Sequence, residues 1–266
     1  MREIKPEEHK RLEIDILKDI HRFCRENKIT YFLAYGTLLG AIRHNGFIPW
    51  DIDDVDVAMP RPDYDRFLRL YSHDYFCAKN ILIDNKYQAA ITRVCDSRTS
   101  KLVPPNTYDY GVSIDVYPLD GVFNNRVFCW LHQFLLRFLV GIESLKILTS
   151  FADCMGDSWC RKHIYFKLLG YIIPRNVLAR WRFMACKLAP YSSATFVCNY
   201  STYHEITRRN KYPKSWFMKS VPVTFEGYVF DAPNGHDAWL RMYYGDYMTF
   251  PPESERTRHI KSAFWR

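Results

Sequence analysis

The sequence predicts an α+β fold, a mixed sheet flanked by helices that carries a basic helical insertion. Three observations predict it. An opening segment repeats its apolar residues at helical spacing, two later segments alternate with the period of strands, and a long stretch after residue 123 is both helical in period and basic. With 266 residues, 48% hydrophobic and 25% charged, the chain has enough apolar material for a sizeable core. Disordered, collagen-like and disulfide-scaffold architectures are excluded for the chain as a whole.

Leu12, Ile16, Ile20, Phe23 and Cys24 share one helical face, which predicts an amphipathic helix over about residues 7 to 27, ended at Asn27 and Lys28. Thr30 to Ala34 is rich in β-branched and aromatic residues and reads as a short buried strand. Gly36 and Thr37 then read as a turn into a helix beginning at Leu38. In Asp51-Ile52-Asp53-Asp54-Val55-Asp56-Val57-Ala58-Met59, the residues Asp54, Asp56 and Ala58 alternate with Val55, Val57 and Met59. Two acids therefore fall on one strand face, until Pro60 breaks the ladder and a short helix begins near Asp63. Gly111 to Pro118 repeats the strand pattern with the single acid Asp115, as expected of a neighbouring strand. From about Phe128 to Met184 the period is helical. From Thr224 onward the order is a strand pair, a turn at Pro233-Asn234-Gly235, one helix and a proline stop.

Charge is unevenly spread. Residues 1–150 balance 20 Lys and Arg against 20 Asp and Glu, whereas Ser158 to Lys219 holds 12 bases and the single acid Glu205. Such a block attracts phosphates, anionic lipid or nucleic acid. Arg180 and Arg182 are its expected contacts with an anionic membrane. RNA-binding aromatic signatures and zinc-finger spacing are missing, so nucleic acid is not an expected partner. The apolar run from Val127 to Leu148 is interrupted by His132, Arg137, Glu143 and Lys146, which argues against a transmembrane span. The charged N-terminal segment shows no secretory signal and the eight cysteines form no CxxC pair, so a reducing, cytoplasmic setting is expected. Cys154, Cys160, His163 and Cys186 do not have the spacing of a paired-thiolate zinc site.

Phosphoryl and nucleotidyl transfer need carboxylates to hold Mg²⁺ or Mn²⁺, because the metal neutralises charge on the attacking and leaving oxygens. Asp54, Asp56 and Asp115 are the candidate set. Four acids within six residues repel one another unless a cation compensates, which weighs against a merely solvated edge strand. Gly36 lets a backbone approach closely, and Thr37 with the following helix N-terminus can hold phosphate oxygens. Trp50, with Tyr243, Tyr244 and Tyr247, offers aromatic faces to a quaternary ammonium group.

The segment YFLAYGTLLGAIRHNGFIPWDIDDVDVAMPRPDYDRF resembles the signature of the LicD family, whose usual form is like GTLLGAxRHxGFIPWDDDIDIxMPRxDY. The resemblance continues through ITRVCDSRTS, GVSIDVYPLDGV and YGDYMTFPPESERTRHI. It implies one nucleotidyltransferase-like catalytic domain over residues 1–266 with a helical insertion at residues 123–200. It also implies transfer of a phospho-alcohol, typically phosphocholine, from a CDP-alcohol to a sugar of a surface glycan or glycolipid, with release of CMP. Fukutin-related proteins look similar at this motif and transfer ribitol phosphate. The acidic run is one residue longer here than in the family. Alignment from Met59-Pro60-Arg61 points to Asp54 and Asp56 as metal ligands, and alignment from Trp50 points to Asp51 and Asp53. The first also satisfies the strand alternation and is preferred. Asp115 would complete the metal site or take the acceptor proton, while Arg43, Arg93 and His259 are expected to contact phosphate or nucleotide. Two alternatives stay open: nucleotidyl transfer from an NTP, and a non-catalytic basic module that docks on membrane or nucleic acid.

Overall fold

A computed structural model describes residues 1–52, 54–87, 89–101, 108–147, 172–208, 210–256 and 262–266. They group into two units, the first made of Met1–Lys79, Thr92–Leu119 and Tyr212–Arg266, the second of Asn80–Ile91 and Asp120–Lys211.

In the first unit, the two-residue strand β1 (Arg2–Glu3) precedes helix α1 (Pro6–Glu26). Pro6 sits in the first turn with Glu7 and Glu8, and Arg25 lies in the last, the arrangement that suits the helix dipole. The expected stripe is buried through Leu12, Ile16, Ile20 and Cys24. The Asn27 side chain donates to the Phe23 carbonyl at 2.9 Å, and Lys28 takes a left-handed φ of 53°, so the helix stops where expected. Strand β2 (Phe32–Leu33) leads into helix α2 (Tyr35–His44), which differs from the expected glycine turn. Gly36 and Thr37 lie inside the helix, because the chain turns one residue earlier at Tyr35, whose φ is 43°.

Strand β3 (Asp56–Pro60) and helix α3 (Arg61–Leu70) follow, then β4 (Phe76–Lys79), β5 (Thr92–Asp96), the short β6 (Thr99–Ser100) and β7 (Ser113–Gly121). The sheet order is β2-β3-β7-β5-β4. Only the β3–β7 pair in this order is parallel, and its register sets Asp56 beside Asp115. Asp54 lies just before β3 and not within it as the alternation suggested.

In the second unit, helix α4 (Arg126–Ile147) packs against α5 (Arg175–Cys186). Their core includes Cys129, Leu136, Val140, Ala185 and Cys186, and His132 Nε2 lies 2.8 Å from the Ala185 carbonyl. Strand β8 (Phe196–Cys198) pairs with the Asp120–Gly121 end of β7, and a short helix α6 (Tyr203–Arg208) follows. Arg182, expected to face a membrane, is 9% exposed and lies 3.1 Å from Glu143, so its charge is directed inward.

The chain returns to the first unit with β9 (Tyr212–Pro213), the hairpin of β10 (Ser220–Phe225) and β11 (Tyr228–Pro233), helix α7 (His236–Tyr244) and β12 (Phe264–Trp265). Strand β12 lies between β1 and β6. The hairpin tip takes positive φ at Glu226 and Gly227, as a tight two-residue turn requires. Its Glu226 side chain accepts the Phe47 N–H at 2.9 Å, which ties the hairpin to the loop after α2. A side chain at Gly46 would meet that carboxylate, so Glu226 would have to shift to admit one.

Candidate functional site

The parallel register gives the first unit its unusual chemistry. One carboxylate oxygen from each of Asp54, Asp56 and Asp115 lies within 4.8 Å of the other two. Asp54 is exposed, Asp115 half-buried and Asp56 buried, so the cluster runs from solvent into the sheet. Burial, and then the charges of Asp54, Asp115 and Asp51, push the Asp56 carboxyl well above its ordinary value of 3.8. Its Oδ1 is buried with no hydrogen-bond partner among the described residues. A buried, unsatisfied oxygen among like charges is the donor set that a hard divalent cation satisfies, since the cation supplies both the missing partner and the missing positive charge.

The surroundings hold these carboxylates in place. Arg93 Nε lies 2.7 Å from Asp115 Oδ1, and an Arg93 terminal nitrogen donates to Oδ2 at 3.3 Å. The guanidinium is 4.6 Å from the centre of the Tyr110 ring. The Tyr117 hydroxyl donates to Asp115 Oδ2 at 3.2 Å. Desolvation and the charges of Asp56, Asp115 and Asp54 push that phenol well upward, so it remains a donor. Tyr117 in turn meets Tyr35 edge to face at 5.3 Å, and Tyr35 also packs on Trp239 and Tyr243. The left-handed backbone of Tyr35, costly for a bulky residue, is thus held by three rings beside the acids.

Several expected contacts take a different form. Thr37 is 2% exposed, and its hydroxyl accepts the Asp56 N–H at 2.8 Å, so it fastens the acidic strand. Gly36 has nothing within 4 Å of where a side chain would begin, which leaves open space at the start of α2. Arg43 donates to the Tyr247 carbonyl at 2.6 Å and lies against the Phe250 and Trp50 rings. Arg256 stacks 4.5 Å from the Trp50 ring centre, so two guanidiniums already lie against that ring. Tyr243 packs on Tyr35 and Tyr244, whereas Tyr247 donates to Asp237 at 2.7 Å. Arg98 pairs with the buried Asp96 at 2.6 Å. His259, Asp53, Cys154, Cys160 and His163 lie outside the described residues. Cys186 is buried and its thiol donates to the Tyr200 carbonyl.

Tyr117 and Tyr35 are the residues that sequence reasoning did not single out. Tyr117 carried a signal, since it stands two residues after Asp115 and shares its strand face. Tyr35 carried none, because only the backbone shows its positive φ.

A mixed sheet that gathers three carboxylates around a buried, unsatisfied oxygen defines a candidate cation-dependent site. Residues 28–135 match the family described as LicD/FKTN/FKRP, nucleotidyltransferase domain, and that range includes all three acids. The chain is also 30% identical, over 94% of its own length and 94% of the relative's, to the lipopolysaccharide cholinephosphotransferase LicD of Haemophilus influenzae. Shorter matches are to uncharacterized proteins of Rickettsia typhi, 42% identical over 21% of this chain and 18% of the relative, and Rickettsia prowazekii, 46% identical over 18% of each. The chain belongs to the LicD family.

Proposed function

We propose that this protein transfers phosphocholine from CDP-choline to a sugar hydroxyl of a lipopolysaccharide-type glycolipid, releasing CMP. The observation that carries the chemistry is the convergence of Asp54, Asp56 and Asp115 around the orphaned Asp56 oxygen. The choice of phosphocholine and of a glycolipid follows the relative that matches over 94% of the chain. We further read residues 1–266 as one nucleotidyltransferase-like catalytic domain, with residues 123–200 as an insertion in it.

Asp54, Asp56 and Asp115 would hold Mg²⁺ or Mn²⁺. Bound there, the cation supplies charge neutralisation for a diphosphate and its leaving group. Arg93 and Tyr117 fix the Asp115 oxygens, and Thr37 fixes the backbone that carries Asp56. In the transfer, the acceptor oxygen bonds to the choline-bearing phosphorus while the bond from that phosphorus to the CMP oxygen breaks. The hydroxyl proton passes to a carboxylate, for which Asp115 is the expected acceptor and the exposed Asp54 the alternative. The open space at Gly36 and the helix start beside it suit a phosphate oxygen.

The test is CMP release and labelled-choline incorporation with CDP-choline and a lipopolysaccharide acceptor, with Mg²⁺ or EDTA, and with ATP in place of the donor. Cation-dependent incorporation from CDP-choline is expected. Turnover of ATP with none of CDP-choline would replace the reading with nucleotidyl transfer, and full activity in EDTA would remove the metal.

A further inference from the structure

The second unit exposes apolar side chains where a water-facing helix normally carries polar ones. On the first half of α4, Val127, Phe128, Trp130, Leu131, Phe134 and Leu135 are exposed, with Val127, Trp130 and Phe134 at 64%, 61% and 59%. Their spacing of one, three and four residues places them on a continuous sector of the helix, opposite the buried Cys129, Leu136 and Val140. The Trp130 and Phe134 rings stack at 5.8 Å, one turn apart. Helix α5, packed on α4, exposes Trp181 and Met184, and Leu188, just past its C-terminal end, is exposed too.

Among the described residues of α4 and α5, the exposed charged side chains are arginines. Among the described residues from 120 to 211 the acids are Asp120, Glu143 and Glu205. Asp120 and Glu205 are fully buried, and Glu143 faces Arg182. Arg126, at the start of the α4 row, and Arg180, beside Trp181, are exposed. Outward aromatic and aliphatic side chains edged by cations match the headgroup zone of an anionic bilayer, where Trp and Phe enter the acyl boundary and Arg meets lipid phosphate. No described helix is long and apolar enough to cross a membrane, so such a surface would lie on the bilayer and not span it.

We propose that the exposed face of α4, extended by Trp181 and Met184 of α5 and by Leu188 just after it, is a docking surface for anionic phospholipid. It deepens the proposed glycolipid reading, because an acceptor anchored in a bilayer is reached by an enzyme held at that bilayer. The apolar row supplies insertion and the arginines supply preference for negative lipid. Arg182, turned inward to Glu143, takes no part.

The experiment is co-sedimentation of the full chain with vesicles of phosphatidylcholine alone and of equal phosphatidylcholine and phosphatidylglycerol. Wild type is compared with Trp130→Glu/Phe134→Glu and Arg180→Glu, alongside thermal midpoint, light scattering and cation-dependent calorimetric binding of CDP-choline. The expected result is wild-type binding to the anionic vesicles, lowered about tenfold or more in the double variant and severalfold in Arg180→Glu. Thermal midpoint and CDP-choline binding should be unchanged. Equal vesicle binding in the double variant, or none in wild type, overturns the proposal. So does a double variant that unfolds, since the rings would then be core, or one that only dissociates a wild-type dimer, since the occupant would then be a second copy. Loss of CDP-choline binding in wild type with vesicle binding intact would overturn the donor reading and leave the docking surface standing.

Discussion

The two units break the ordinary rule of charges outside and hydrophobics inside in opposite ways. The first buries a carboxylate without a matching cation, as Asp56 sits among Asp54, Asp115 and Asp51 with one oxygen unpartnered among the described residues. The second directs Arg182 onto Glu143 and turns Trp130 and Phe134 toward solvent. Each departure costs stability that a purely structural sequence would avoid, and departures of this kind mark places where function sets the residue. The sign of each departure matches the partner proposed for it, a cation in the first unit and an anionic, apolar phase in the second.

The largest expected effect falls on the acids. Asp54→Asn or Asp56→Asn should lower turnover about a thousandfold or more, because several kcal/mol of charge stabilisation go with the metal. Steady-state CMP release checks this, and the same assay on Asp51→Asn should show the milder loss. If Asp51→Asn is the more damaging change, the register taken from Trp50 is the correct one.

A stability measurement sharpens the comparison further. The folded protein binds the Asp56 proton more tightly than the unfolded chain, whose carboxyl titrates near 3.8. The stabilisation is therefore complete below that value and is lost as pH rises toward the raised folded value. Cation-free protein should lose thermal stability over this range, and Asp56→Asn should remove that part of the pH dependence while raising the midpoint near neutrality. Added Mn²⁺ should recover stability in wild type alone, with an affinity that rises with pH because binding expels the proton.

Smaller effects are expected one layer out. Tyr117→Phe should weaken cation affinity about tenfold with the fold intact, as expected for a group that orients a ligand. Manganese titration by electron paramagnetic resonance reads this directly. Thr37→Val should cost about 1–3 kcal/mol in denaturant unfolding, since it leaves the buried Asp56 N–H without its acceptor.

Much of the fold was legible because its elements have clear periods and ends. The α1 stripe, the acid-bearing strand, its neighbour around Asp115 and the closing hairpin and helix all follow from residue spacing. Alternation also placed Asp54 and Asp56 near each other, although Asp54 precedes the strand. Long-range partnership was not legible. A lone Arg93 gives no sign that it faces Asp115 across two strands, and Thr37 reads as a phosphate ligand until its hydroxyl is found on the Asp56 N–H. The same limit applies to the basic block, where composition cannot separate Arg180, which faces outward, from Arg182, which does not.

The most direct test of the account is calorimetric titration of Mn²⁺ into wild type and Asp56→Asn, each with and without CDP-choline. The account predicts cation binding in wild type that strengthens when the donor is present and disappears in Asp56→Asn while its melting transition remains cooperative. Equal cation binding in the two proteins would contradict it, because the buried, unpartnered oxygen of Asp56 would then have no part in holding the metal.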